Sequence, residues 1–153
     1  MIRAMLATGV CVVLLSSGAA AYAGGGELLN KKDSLKEGDK GYKPGKGVDK
    51  LKEPFAKEIF KAITDHPHKV YKLKLKKGDK VVIQMQSKAM DSVVVVEDSK
   101  MTVLAFNDDD PKGGGTLDSR LEWTAPEDDE YRIIATNTDK KHGDFQLTVS
   151  KAK

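Results

Sequence analysis

The sequence is short of the residues that staple a small domain or arm it for chemistry. It holds one cysteine, Cys11, inside the N-terminal apolar run, so neither a disulfide framework nor a cysteine nucleophile is available downstream. Stability must come from a packed core, with a bound ion as the one further resource. Histidine is almost as scarce, and His66, His68 and His142 all fall in turns. A serine triad needs a histidine brought to a nucleophile and an orienting acid, and no glycine pattern prepares an elbow around Ser92 or Ser119. Zinc would want histidines at helical or hairpin spacing with a further ligand, whereas one rigid residue separates the pair in His66-Pro67-His68. No apolar pocket pattern surrounds a carboxylate pair of the kind that glycoside hydrolysis uses. These absences argue against an enzyme. No internal repeat is visible, and 153 residues hold one ordinary domain with extensions.

Long apolar runs are missing too, except at the start. Met1-Ile2-Arg3 is a short basic opening, Ala4 to Leu15 is almost unbroken apolar sequence, and Ala21-Tyr22-Ala23 supplies small residues at the two cleavage positions. Residues 1–23 therefore read as a secretory signal peptide cut after Ala23, and the protein as exported, periplasmic or extracellular. The apolar run is shorter than the ~20 residues of a spanning helix, so no membrane insertion is expected after cleavage. Cys11 lies within the run and not at its end, which argues against a lipid anchor.

The net charge of +3 conceals a division. From Lys31 to Lys80 sixteen lysines face eight acids, while from Val81 to Lys153 nine basic residues face fourteen acids. A basic front half can suggest polyanion binding, but the lysines are interspersed with acids and exported proteins rarely meet nucleic acid. A solvated lysine-rich surface is the expectation, with no nucleic-acid partner.

Residues 24–54 read as a flexible Lys/Gly-rich linker, too charged and too rich in glycine to offset the entropy of ordering. Leu51, Phe55, Ile59 and Ile63 recur at fours, which suits one face of a helix, but the last three also share one face of a strand. The break Asp65-His66-Pro67-His68 follows. Tyr71, Leu73 and Leu75 then alternate with Lys72, Lys74 and Lys76, and Val81, Ile83 and Met85 resume the apolar face after the turn Lys77-Gly78-Asp79-Lys80. Val93 to Val96 is apolar on both faces, as in a central strand. Glu97 to Lys100 turns the chain into Met101 to Phe106. Leu121 and Trp123, then Tyr131, Ile133 and Ala135, then Phe145, Leu147 and Val149 mark three more strands between polar turns. No helix is expected within 69–153. The pattern indicates an all-β domain over 55–153, an antiparallel β-sandwich of jelly-roll type with about eight strands.

Six segments occur in order: Leu75-Lys76-Lys77-Gly78-Asp79-Lys80-Val81, Ser87-Lys88-Ala89-Met90-Asp91-Ser92 leading into the valine run, Leu104-Ala105-Phe106-Asn107-Asp108-Asp109, Leu117-Asp118-Ser119-Arg120-Leu121, Tyr131-Arg132-Ile133, and Gly143-Asp144-Phe145-Gln146-Leu147-Thr148-Val149. In this order and spacing they resemble the bacterial pre-peptidase C-terminal domain, over about residues 55 to 150. The resemblance implies a secreted sandwich, usually appended to exported peptidases, that assists export, targeting or substrate binding without doing chemistry. Some relatives bind calcium and polymers such as collagen or polysaccharide. It also favours a strand over residues 57–64. No peptidase domain accompanies it in this chain.

The loop Asn107-Asp108-Asp109-Asp110-Pro111-Lys112-Gly113-Gly114-Gly115 concentrates negative charge where the chain is most pliable. Three adjacent aspartates repel, so water, a cation or backbone N–H groups must satisfy them. Calcium is the candidate cofactor, with Asp91, Asp108, Asp109, Asp110 and Asp118 as candidate ligands if the sandwich brings the ends of these segments together. Asp108 and Asp110 project to opposite sides from Asp109 in an extended segment, and the Asp-x-Asp-x-Asp-Gly order is absent. The alternative is a solvated turn whose aspartates accept backbone hydrogen bonds, with Arg120 pairing an acid across strands. The expected function is that of a noncatalytic binding or accessory module, monomeric, partnered by an extracellular or envelope polymer or protein. The alternative is a structural or assembly protein of the cell envelope.

Overall fold

The computed structural model describes residues 26–113 and 115–152, so the segment read as a signal peptide lies outside the described residues. The strands are β1 Glu27–Leu35, β2 Lys69–Leu75, β3 Lys80–Gln86, β4 Ser92–Glu97, β5 Val103–Asn107, β6 Ser119–Thr124, β7 Asp129–Asn137 and β8 Gly143–Lys151. One helix, α1, covers Ala56–Ile63, and a 3₁₀ turn covers Val48–Lys50. The strands form two four-stranded antiparallel sheets, ordered β1-β8-β3-β6 and β2-β7-β4-β5. Successive strands alternate between the sheets except at the β4–β5 hairpin, which is the jelly-roll arrangement.

Period-two alternation sets which faces meet. Val81, Ile83 and Met85 of β3 and Phe145, Leu147 and Val149 of β8 point inward against Val94 and Val96 of β4 and Tyr131, Ile133 and Ala135 of β7. Val93 and Val95 point the other way, into a second cluster beneath α1 with Phe60, Ile63, Phe106 and Ile134. β4 is thus buried on both faces, and each of its four valines contributes about 1.5–3 kcal/mol by leaving water.

Residues 26–54, the described part of the segment 24–54 expected as a free linker, instead build structure. β1 adds an edge strand to β8, with Lys31 opposite Leu147 and Leu35 opposite Gly143. Leu35 and Tyr42 are 1% and 2% exposed. Gly45 lies so close to the β4–β5 turn that a Cβ there would sit 1.6 Å from the Met101 carbonyl oxygen, and the next residue, Lys46, accepts a 2.7 Å bond from the Val103 amide. The segment is ordered because it covers apolar surface that the sheet cannot bury alone.

The strand favoured for residues 57–64 is a helix. Ala56, Phe60 and Ile63 turn toward the sheet, and Phe60 meets Phe106 edge-on at 5.1 Å. No side chain caps the helix at Phe55. At two turns the helix is too short to persist alone, so packing holds it. It ends where Thr64 adopts an extended backbone and Asp65 has φ 64°.

Glu97, expected in a turn, is the last residue of β4 and 1% exposed. It accepts a 2.8 Å hydrogen bond from the Tyr42 hydroxyl and a 3.0 Å bond from Arg132 Nε. Burial, with the adjacent Glu97 charge, pushes the Tyr42 hydroxyl far above its ordinary pKa. His66, expected exposed, is 9% exposed, with Nδ1 2.8 Å from the Asn137 carbonyl oxygen.

Candidate functional site

The jelly roll does bring the ends holding Asp91 and Asp118 together. The Ser92 amide donates to the Leu117 carbonyl at 2.9 Å, and the hydroxyls of Ser92 and Ser119 lie 3.2 Å apart. Three of the five candidate aspartates, Asp91, Asp110 and Asp118, are engaged by the fold. Asn107 Nδ2 donates to the carbonyls of Asp109 and Arg120 at 2.8 and 2.7 Å, stapling the loop to β6. Asp110 Oδ1 accepts the Lys112 amide at 2.9 Å in an ordinary aspartate turn, and Asp118 Oδ1 accepts the Ser87 amide at 3.0 Å. Asp91 Oδ2 accepts the Thr138 hydroxyl. Asp109 is exposed. Burial raises the Asp108 pKa above the ordinary carboxylate value, and the charges of Asp109 and Asp91 add to the rise.

Among the described residues, no three acidic, histidine or cysteine side chains converge to hold a metal ion. Calcium wants six to eight oxygens, and the five candidate carboxylates do not offer a shared focus. Asp91 and Asp108 feel one another's charge, while Asp110 and Asp118 are committed to separate backbone amides. The donor set does not fit the ion. Arg120 pairs with Glu122 on its own strand at 2.5 Å, and not with an acid across strands.

A better-built feature lies nearby. An open groove of about 1160 Å³ runs along one end of the β1-β8-β3-β6 sheet, where β1 and β3 finish and β6 and β8 begin. Lys32, Gln86, Lys88, Asp118, Asp144 and Gln146 furnish its polar lining, together with Asp33, Ser34, Ser87 and Thr116. Its wall at the β3–β4 corner is pinned by Ser87, whose amide donates to Asp118 and whose hydroxyl donates to the Asp144 carbonyl at 2.8 Å. The Ala89 amide returns to the Ser87 hydroxyl at 3.1 Å. Gly143 lets the β7–β8 turn close on this corner, since a Cβ there would meet the Ala89 methyl at 2.5 Å. On the opposite wall Asp33 is fixed by the Tyr71 hydroxyl at 2.7 Å, which holds its carboxyl below the ordinary value.

The groove offers ammonium and amide donors from Lys32, Lys88, Gln86 and Gln146 beside carboxylate acceptors from Asp118 and Asp144. That mixture supplies both the donors and the acceptors that hydrogen bonding to a polar chain requires. No histidine or cysteine is among its lining residues, and the Ser87 hydroxyl is committed to a backbone carbonyl. Sequence reasoning singled out Ser87 to Ser92 as a segment but missed the groove. Lys32, Asp33 and Ser34, which line it at the end of β1, fall in residues assigned to the linker. The one available signal was the alternation Leu29, Lys31, Asp33, Leu35, which charged residues interrupt.

Comparison with solved structures places the fold among β-sandwich domains. The pre-peptidase C-terminal domain of a Bacillus anthracis collagenase matches at a TM-score of 0.52 and 13% identity, over 80% of this chain and 88% of that one. PliG of Aeromonas hydrophila, a periplasmic inhibitor of g-type lysozyme, matches at a TM-score of 0.50 and 12% identity, over 88% of this chain and 93% of that one. The chain therefore has the fold of a pre-peptidase C-terminal domain, as the sequence resemblance implied. No protein-family model matches the sequence, and no curated protein matches it. Among the described residues no helix is long and apolar enough to cross a membrane.

Proposed function

We propose that the chain is an exported, noncatalytic binding module, acting as a monomer, whose groove at the β3–β4 corner takes an extracellular or envelope polymer or a secreted protein. The pinned corner carries this reading. Ser87 ties the β3–β4 corner to Asp118 before β6 and to Asp144 at the start of β8, and Ala89 closes the corner on itself, while Gln86, Lys88 and Gln146 along the groove have the chemistry to hold a polar ligand. Such preorganisation lowers the cost of ordering on binding. The fold shared with a collagenase's pre-peptidase C-terminal domain and with a periplasmic lysozyme inhibitor supports it, and the inhibitor is why lysozymes belong beside polymers in the test.

The test is a binding panel for the mature chain from Gly24, with polysaccharides, matrix proteins and lysozymes, read by calorimetry and by residual lysozyme activity. Saturable binding to one class, weakened at least tenfold by Lys88→Glu, is expected. Absence of binding together with concentration-dependent oligomers would overturn the reading in favour of an envelope assembly protein.

A further inference from the structure

We propose that the layer formed by residues 43–61 over the β2-β7-β4-β5 sheet docks the protein on an anionic lipid surface, with Phe55 as its interfacial anchor. This surface is separate from the groove, which belongs to the other sheet.

The first observation is charge. Lys43, Lys46, Lys50, Lys52, Lys57 and Lys61 are all exposed on this layer, against the three acids Asp49, Glu53 and Glu58. Lys43 pairs with Asp65; among the described residues the other five make no ion pair. Lys57 and Lys61 stand one helical turn apart on α1. The sheet adds to the same side. Val70 packs into the cluster beneath α1, so Lys72 and Lys74, two and four residues on, project from that face. Lys72 is paired with Glu130. The layer gathers much of the basic front half of the sequence into one exposed surface.

The second observation is apolar. Phe55 is 69% exposed, the largest exposure among the big hydrophobic side chains of the described residues, and in sequence it falls between the exposed Lys52 and Lys57. It contributes nothing to the helix contact, which Ala56, Phe60 and Ile63 make. A solvated lysine surface or a soluble polyanion accounts for the lysines and leaves Phe55 in water. A bilayer interface uses both, since the ring enters the headgroup boundary while the ammonium groups meet anionic lipid. No spanning segment is required.

The test is cosedimentation of the mature chain with vesicles of phosphatidylglycerol and phosphatidylcholine, and with vesicles of phosphatidylcholine alone. Binding to the anionic vesicles, reversed by high salt and absent with the neutral ones, is expected. The pair Lys52→Ala and Lys57→Ala should weaken it about 25-fold, at about fivefold per lysine. Phe55→Ala, exposed and so harmless to folding, should weaken it roughly tenfold. Lys88→Glu, in the groove, should bind vesicles as the parent does. No binding to anionic vesicles would overturn the proposal. Undiminished binding by Phe55→Ala, with full competition by soluble polyphosphate, would overturn it in favour of a soluble polyanion.

Discussion

The Tyr42 hydroxyl donates a 2.8 Å hydrogen bond to Glu97, 55 residues away, at a point where both side chains are almost wholly buried. This contact fastens the N-terminal layer to the end of the central strand. Arg132 completes it at 3.0 Å from the other carboxylate oxygen. Tyr42→Phe leaves a buried acceptor without its donor and should cost ~1–3 kcal/mol in urea unfolding. Glu97→Ala strands Tyr42 and Arg132 together and should cost ~3–5 kcal/mol. Equal stability of both variants and the parent would show that the layer does not rest on this contact.

β1 is structural. Leu35 is 1% exposed within the main core, so Leu35→Ala should cost ~2–5 kcal/mol. A free tether would tolerate the change without loss, and the midpoint of urea denaturation separates the two.

Strands β2, β3, β6, β7 and β8 were legible because apolar residues recur at every second position along them, and β4 because its unbroken valine run reads as a strand covered on both faces. β1 was not, for a physical reason. It is an edge strand, and Lys31 and Asp33 share the face of their inward-pointing partners Leu147 and Phe145. Charges at inward positions of an edge protect it against pairing with other chains, and they erase the period-two signal. The helix was half legible: the spacing of four was real, but the buried face is Ala56, Phe60 and Ile63, and Phe55 points to solvent. The aspartate loop lies between β5 and β6, where the pattern put it, but the engagement of its carboxylates was not visible: Asp110 serves the Lys112 amide, and Asp118 beyond the loop serves the Ser87 amide 31 residues away.

Trp123 is half-buried and meets Tyr131 edge-on at 4.8 Å. Its replacement by Ala should therefore cost ~2 kcal/mol, below the ~3–5 kcal/mol of a fully buried tryptophan. Calorimetric or urea unfolding gives the value directly.

Asp108 should penalise the fold when ionised. Its folded pKa is raised, chiefly by burial, so the penalty is present at neutral pH and is relieved as pH falls through that pKa. Asp108→Asn should raise the melting temperature at pH 7, with the gain shrinking toward pH 4. A gain independent of pH would remove ionisation as the cause.

Millimolar calcium and a chelator should give the same melting temperature, because Asp91, Asp110 and Asp118 are already engaged by the protein and no three acids converge among the described residues. An ion bound to the native state alone would raise it by mass action. A calcium-dependent rise would restore the aspartate loop as a metal site.

The groove is tested most directly by amide chemical shifts of the isotope-labelled mature chain, titrated with whichever ligand the panel yields. The account predicts the largest changes at Gln86, Lys88, Gly143 and Gln146, the residues that line the pinned corner. Shifts confined to Asp108 to Asp110, or to Lys52 to Lys57, with the corner unmoved, would contradict it.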